Sequence, residues 1–283
     1  MIDRGDADGA LARLEGKDDP QSLYLQGRAW AKKAESAPLP TPPPPLSPLP
    51  KGAPLPGPPE FKPEEHKAIE LLERAVAAQP DFAAAHLALA QVLAPHALRF
   101  HEREKDAQAR QALRRPSRHA APEPLPTPEP GPDYSSDRVV REYGLAVRGD
   151  SSRAPVEAMI AFAVKAGRLD EAEAGYQELI RRLKERSEPM VLYGDFLVQE
   201  KKQPAAAVEQ YRQALIWSPN DETIRGKLAG IFLSQGVESF NQQQYALAEA
   251  QFAEAAKYIP DRNSPQGQIL TEHLAKLREI RLR

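Results

Sequence analysis

The chain has 283 residues, a formal net charge of -2, 29 prolines and no cysteine. That composition excludes a disulfide framework, a thiolate nucleophile and cysteine-ligated zinc, and it gives no global pull toward nucleic acid or an anionic membrane surface. A hydrophobic content rich in alanine and poor in aromatics predicts close-packed helices rather than a sheet sandwich, and no apolar run approaches the ~20 residues of a membrane helix.

In chain order, Gly5–Leu11 with Leu14 reads as a glycine turn and the start of a helix within residues 1–19. A helix carrying Leu23, Gly27 and Trp30 on one stripe follows. Residues 36–63 hold 13 prolines in 28 positions. The run Pro42–Lys51 within them must be polyproline II or extended, because proline donates no helix or ladder hydrogen bond. It can be read as a stiff surface loop or as a docking ligand for an aromatic-lined groove.

Three later stretches share one spacing: Ala68-x3-Leu72-x2-Ala75-x4-Pro80, Ala207-x3-Tyr211-x2-Ala214-x4-Pro219 and Ala248-x3-Phe252-x2-Ala255-x4-Pro260. Positions i, i+4 and i+7 lie on one helix face, so small and large residues alternate where a neighbouring helix must approach. Proline ends each helix, and Asp81, Asn220 or Asp261 is placed to cap the next. Between the first and second copies come His86, Leu89, Ala90 and Leu93 on one helix, and then an interruption over 95–134. That interruption holds a charged helix over about 97–115 and an alternating proline tract at 122–132 that reads as a rigid spacer. Interleaved acids on the helix argue for a solvated surface rather than a phosphate track. Val139-x3-Tyr143-x2-Ala146, ending at Ser151, is a weaker copy of the shared spacing. The run Ala166–Ala172, with Tyr176 and Leu179 following, predicts a glycine turn into a helix. Tyr193-Gly194 with Leu197, and Gly236 with Phe240, repeat the small-at-the-crossing pattern. The last interval, Pro219 to Pro260, predicts a long helix over roughly 221–242. Ser264-Pro265 opens a final helix to about Arg281.

These phased prolines, glycines and alanines resemble the tetratricopeptide repeat. The resemblance implies an all-α, right-handed superhelical solenoid of helix-turn-helix repeats, with two proline-rich insertions and a C-terminal capping helix. The expected division is a remnant of a preceding repeat at 1–19, then repeats at 20–80 (insertion 36–63), 81–151 (insertion 95–134), 152–187, 188–219 and 220–260, and a cap at 261–283. The remnant has a second helix without its first, which points to a start that is truncated, processed or at an internal methionine. The compartment, cytoplasmic or periplasmic, is left open.

In tetratricopeptide proteins the first helices line a concave groove that receives a peptide or partner helix. Carried over, the groove residues would be Gln21, Tyr24, Arg28 and Lys32, then Leu87 and Gln91, then Asp195 and Gln199, then Leu233, Val237 and Asn241. Tyr24 and Arg28, with Ala161 and Lys165 on the third repeat, stand where carboxylate-clamping members carry lysine, asparagine and further basic residues, so an apolar or mixed peptide, or a partner helix, is expected. His86 stands at a packing position and reads as a core histidine, and His86, His96, His101 and His119 show no metal-ligand spacing. No phosphate loop, nucleophile elbow or paired carboxylate stands out, and neither a cofactor nor a nucleic-acid partner is expected. The resemblance implies a non-catalytic protein-interaction scaffold. The alternative is an architectural subunit or bacterial envelope-associated assembly factor that packs through its edges or its N-terminal repeat.

Overall fold

The computed structural model describes residues 6–37, 61–113 and 133–282. The proline tracts at 42–51 and 122–132, and His119, lie outside the described residues. Twelve α-helices and no strand occur among the described residues, and they fall into two compact units, 1–172 and 173–283.

The first unit holds α1 (Ala7–Leu14), α2 (Pro20–Ser36), α3 (Pro63–Ala78), α4 (Ala83–Leu113), α5 (Ser136–Gly149) and α6 (Ala154–Lys165). Each of these helices packs on the next, and α2 also meets α4 as α4 meets α6. That is the neighbour pattern of stacked hairpins. Helix α7 (Leu169–Arg182) crosses the division. The second unit continues with α8 (Glu188–Gln199), α9 (Pro204–Trp217), α10 (Glu222–Asn241), α11 (Tyr245–Ala256) and α12 (Pro265–Arg281). Here α8 pairs with α9 and α10 with α11, while α12 lies against both α10 and α11.

The shared spacing explains why hairpins form. Leu72 and Phe252 are fully buried and Tyr211 is 2% exposed, and the alanines flanking each one are fully buried. The large residue of each second helix lands on a glycine of its first helix. A Cβ at Gly27 would fall 2.7 Å from Leu72 Cγ, one at Gly194 2.5 Å from Tyr211 Cε1, and one at Gly236 2.6 Å from Phe252 Cε1. Only glycine lets these backbones come so close. Each large side chain contributes about 1.5–3 kcal/mol by leaving water.

Helix ends follow local chemistry. Asp19 accepts from the Ser22 amide at 3.0 Å and Pro20 opens α2; Ser264 accepts from the Gly267 amide at 3.1 Å and Pro265 opens α12. Two expected caps are displaced. Asp221, not Asn220, caps α10 through the Thr223 and Ile224 amides, and Asp261 instead accepts from the Asn263 amide in the turn before Ser264.

The helix expected over 97–115 has no separate start. Helix α4 runs from Ala83 through Pro95 to Leu113, so the break expected at 95 does not occur. Proline removes one intrahelical bond without ending α4, because packing holds both sides of it: Leu93, Ala94, His96 and Ala97 are all buried. His96 stacks on Phe61 at 3.8 Å between ring centroids, and Tyr134 lies 5.3 Å from Phe61 and 6.2 Å from Phe100. This aromatic cluster ties the extension of α4 to the residues just before α3 and α5.

His86 is a core histidine, 5% exposed. Its Nδ1 lies 2.6 Å from Oε2 of Glu142, and its Nε2 lies 3.0 Å from the Pro80 carbonyl. Arg138 joins the same network, donating to Glu73 at 2.6 Å with its Nε 3.8 Å from Glu142. These contacts link α3, α4 and α5 around the buried Glu142.

Candidate functional site

The eleven groove residues divide between the units, six in the first and five in the second. Three of the six, Arg28, Lys32 and Gln91, line one cleft.

Its walls are α2 and α4, its end is the start of α3, and its volume is about 520 Å³. Arg28, Ala31, Lys32, Ala34 and Glu35 come from α2, Lys62 and Glu65 from the head of α3, and Ala88, Gln91, Val92 and Pro95 from α4. Helical spacing explains the grouping: 28, 31, 32 and 35 share one stripe, as do 88, 91, 92 and 95. Alanines at 31, 34 and 88 keep the floor low, so a ligand's main chain can approach closely.

The charges of the cleft are largely matched within it. Lys32 donates to Glu35 at 2.5 Å. Lys62 donates to the carbonyls of Ala34 and Ala37, each at 2.6 Å, and so caps the C-terminus of α2. Glu65 accepts from the Lys62 amide at 2.6 Å. Burial pushes the Glu65 carboxyl up, but the neighbouring His96 and the Lys62 amide outweigh that and hold it below the usual range. Arg28 lies over the ring of Tyr24, 5.8 Å from its centroid, and donates to the Tyr24 hydroxyl at 3.4 Å. Tyr24 meets Phe82 edge-on at 5.1 Å and does not line the cleft. Leu87 is half-buried against the core, and Gln21 is exposed. Lys62, Glu65 and Pro95 were not foreseen in this site.

The five candidates of the second unit do not assemble in the same way. Asp195 accepts from Lys227 of α10 at 2.6 Å and from the Tyr211 hydroxyl at 2.6 Å, so its carboxylate is already engaged. Burial first, and Asp195 second, push the Tyr211 hydroxyl upward. Leu233, expected to be exposed in a groove, is 5% exposed. The length of α10 explains the correction: it packs on α9, α11 and α12, and Leu233 falls on a covered face. Val237 is half-buried, while Gln199 and Asn241 are exposed.

At the start of the second unit, on α7, Glu173 accepts from Tyr193 at 2.5 Å and from Lys201. Lys201 and then Tyr193 hold the Glu173 carboxyl below its ordinary range. Arg212 bridges α9 to α11 through Glu254 at 3.2 Å and also lies over the Phe232 ring. Ile216 and Trp217, at the end of α9, are 69% and 45% exposed. Among the described residues no group of three or more His, Asp or Glu side chains is placed to hold a metal ion, and no helix is long and apolar enough to cross a membrane.

No family model and no curated protein sequence matches the chain. Among solved structures it is similar to one from the functional characterization of Pseudomonas aeruginosa PilF, at 16% identity over 97% of this chain and 87% of that chain, with a TM-score of 0.35. It is also similar to the APC/C hetero-tetramer Cut9–Hcn1, at 10% identity over 96% of this chain and 46% of that chain, with a TM-score of 0.28. At these identities and TM-scores the likenesses carry no argument about function.

Proposed function

We propose that the chain is a non-catalytic protein-interaction scaffold, and that the cleft between α2 and α4 receives a peptide segment of a partner. The observation that carries this reading is the cleft itself. Its size lies within the ~300–1,000 Å³ of ligand sites. It has an alanine floor, and it brings Arg28, Lys32 and Gln91 together from two helices. Its charged groups are matched locally, which suits recognition of a main chain and small side chains more than a highly charged ligand.

The test begins with selection of ten-residue peptides from a displayed library on the intact chain. Binding is then measured by fluorescence anisotropy for the wild type, for Arg28→Glu with Gln91→Ala, and for Gln199→Ala with Asn241→Ala. Loss of binding in the first pair and retention in the second supports the cleft. Equal binding by all three, or no selectable peptide, rejects it.

The exposed Ile216 and Trp217 favour a second reading, in which the chain is an architectural part of an assembly that packs outside the cleft. Under that reading Ile216→Asp with Trp217→Ser disrupts assembly, and the Arg28 and Gln91 pair leaves it intact.

A further inference from the structure

Pro95 stands inside α4, and a proline has no amide hydrogen. The carbonyl of Gln91, four residues earlier, therefore has no i+4 amide to accept from. Residues 91 and 95 lie one turn apart on the same face, and both line the α2–α4 cleft. The missing rung of the helix consequently faces the cleft. It is an acceptor held in place by the buried residues that follow it, Leu93, Ala94, His96 and Ala97.

We infer that the Gln91 main-chain carbonyl is a built recognition point, and that it accepts a hydrogen bond from a main-chain N–H of an extended peptide. The inference rests on the peptide-binding reading above and specifies the chemistry of its occupant. An extended strand fits better than a helix for two reasons. A helix has spent its interior N–H groups on its own carbonyls, whereas alternate N–H groups of an extended chain are free to donate. The low floor at Ala31 and Ala88 also lets a backbone, not only a side-chain tip, come within hydrogen-bonding distance of α4. Charge sets a further limit. Arg28, Lys32 and Lys62 stand against Glu35 and Glu65, an excess of one positive charge, so the complementary segment is neutral or singly acidic.

The experiment separates this carbonyl from a mere bend in α4. A peptide selected on the intact chain is made as a series of amide-to-ester analogues, each lacking one N–H, and each analogue is measured against the wild type and Pro95→Ala. Alanine restores an amide at 95 and lets α4 complete its own ladder. Thermal unfolding should therefore show Pro95→Ala at least as stable as the wild type, and a folding defect would not explain a binding loss. The expected result is one ester position that weakens wild-type binding roughly three- to tenfold and has no further effect in Pro95→Ala, which binds the parent peptide with that same loss. If Pro95→Ala binds the parent peptide as the wild type does, or if the ester penalty persists undiminished in Pro95→Ala, the inference is overturned. Peptides that need Arg28 and Gln91 but ignore Pro95→Ala would overturn it while leaving the scaffold reading in place. Failure to select any peptide would overturn both.

Discussion

In the first unit, Arg28 on α2 and Gln91 on α4 border one open cleft; in the second, Asp195 on α8 has already closed on Lys227 of α10 and the Tyr211 hydroxyl. The three side chains occupy one structural position, since each follows the small residue at a helix crossing: Gly27, Ala90 and Gly194. The crossing framework is common to both units, and the next residue decides what the groove face does. A cation stacked on its own neighbouring tyrosine leaves space across the cleft, whereas a carboxylate facing a lysine of the adjacent hairpin fills that space with protein. Groove chemistry in such an array is thus a property of residue pairs from different repeats, and the packing of the repeats leaves it free to vary.

The largest test breaks what the units share. Phe252→Ala in α11 should cost about 3–5 kcal/mol, and Leu72→Ala in α3 about 2–5 kcal/mol, because each removes a fully buried knob from a crossing. Denaturant unfolding followed by circular dichroism measures both. A loss below about 1 kcal/mol in either would mean that the glycine crossings do not organise that unit.

The complementary change adds volume instead. Gly27→Val and Gly194→Val each place a Cβ under 3 Å from a buried side chain, and each should cost at least about 1–3 kcal/mol. Comparable losses in the two variants would confirm a common framework beneath different groove faces.

Asp195→Ala addresses the difference itself. Asp195 and Lys227 are about a quarter to a third exposed, so losing the ion pair should cost no more than about 1 kcal/mol, and losing the hydrogen bond from the Tyr211 hydroxyl roughly 1 kcal/mol more. It should also leave peptide binding to the first unit unchanged. A change in peptide affinity would show that the two faces do not act separately.

The last effect is confined to alkaline pH. Burial pushes the Tyr143 hydroxyl of the first unit up to about 12 from 10.0, and Tyr211 of the second unit is pushed up as well, by burial and then by Asp195. An unfolded tyrosine ionises at its ordinary value, so the stability these groups confer is complete below pH 10. It falls as pH rises toward the folded value, because the native state then holds protons that the unfolded state has released. Tyrosinate absorbance followed alongside circular dichroism should show the last tyrosines ionising only as helicity is lost.

Much of the all-α fold was legible because its signal is local. Ala68, Leu72 and Ala75, with their counterparts in α9 and α11, are buried at the crossings that their spacing predicts. Proline and serine or aspartate mark where α2, α10 and α12 begin. The site was legible only in part. Arg28, Lys32 and Gln91 follow from helical stripes, but Lys62 reaches carbonyls 25 and 28 residues away, and no periodicity records that. Pro95 reads as a stop in sequence, and only the packing of His96 and Ala97 shows that α4 runs through it. Glu142 resembles any helical glutamate until His86 is seen beside it, and Asp195 resembles a groove residue until Lys227 is.

The decisive experiment is hydrogen exchange of the intact chain with and without a selected peptide. New amide protection is expected on α2 and on the first half of α4, around Arg28, Lys32 and Gln91, with α8 and α10 unchanged. Protection confined to α8 and α10, or to the end of α9 around Ile216 and Trp217, would contradict peptide binding in the cleft.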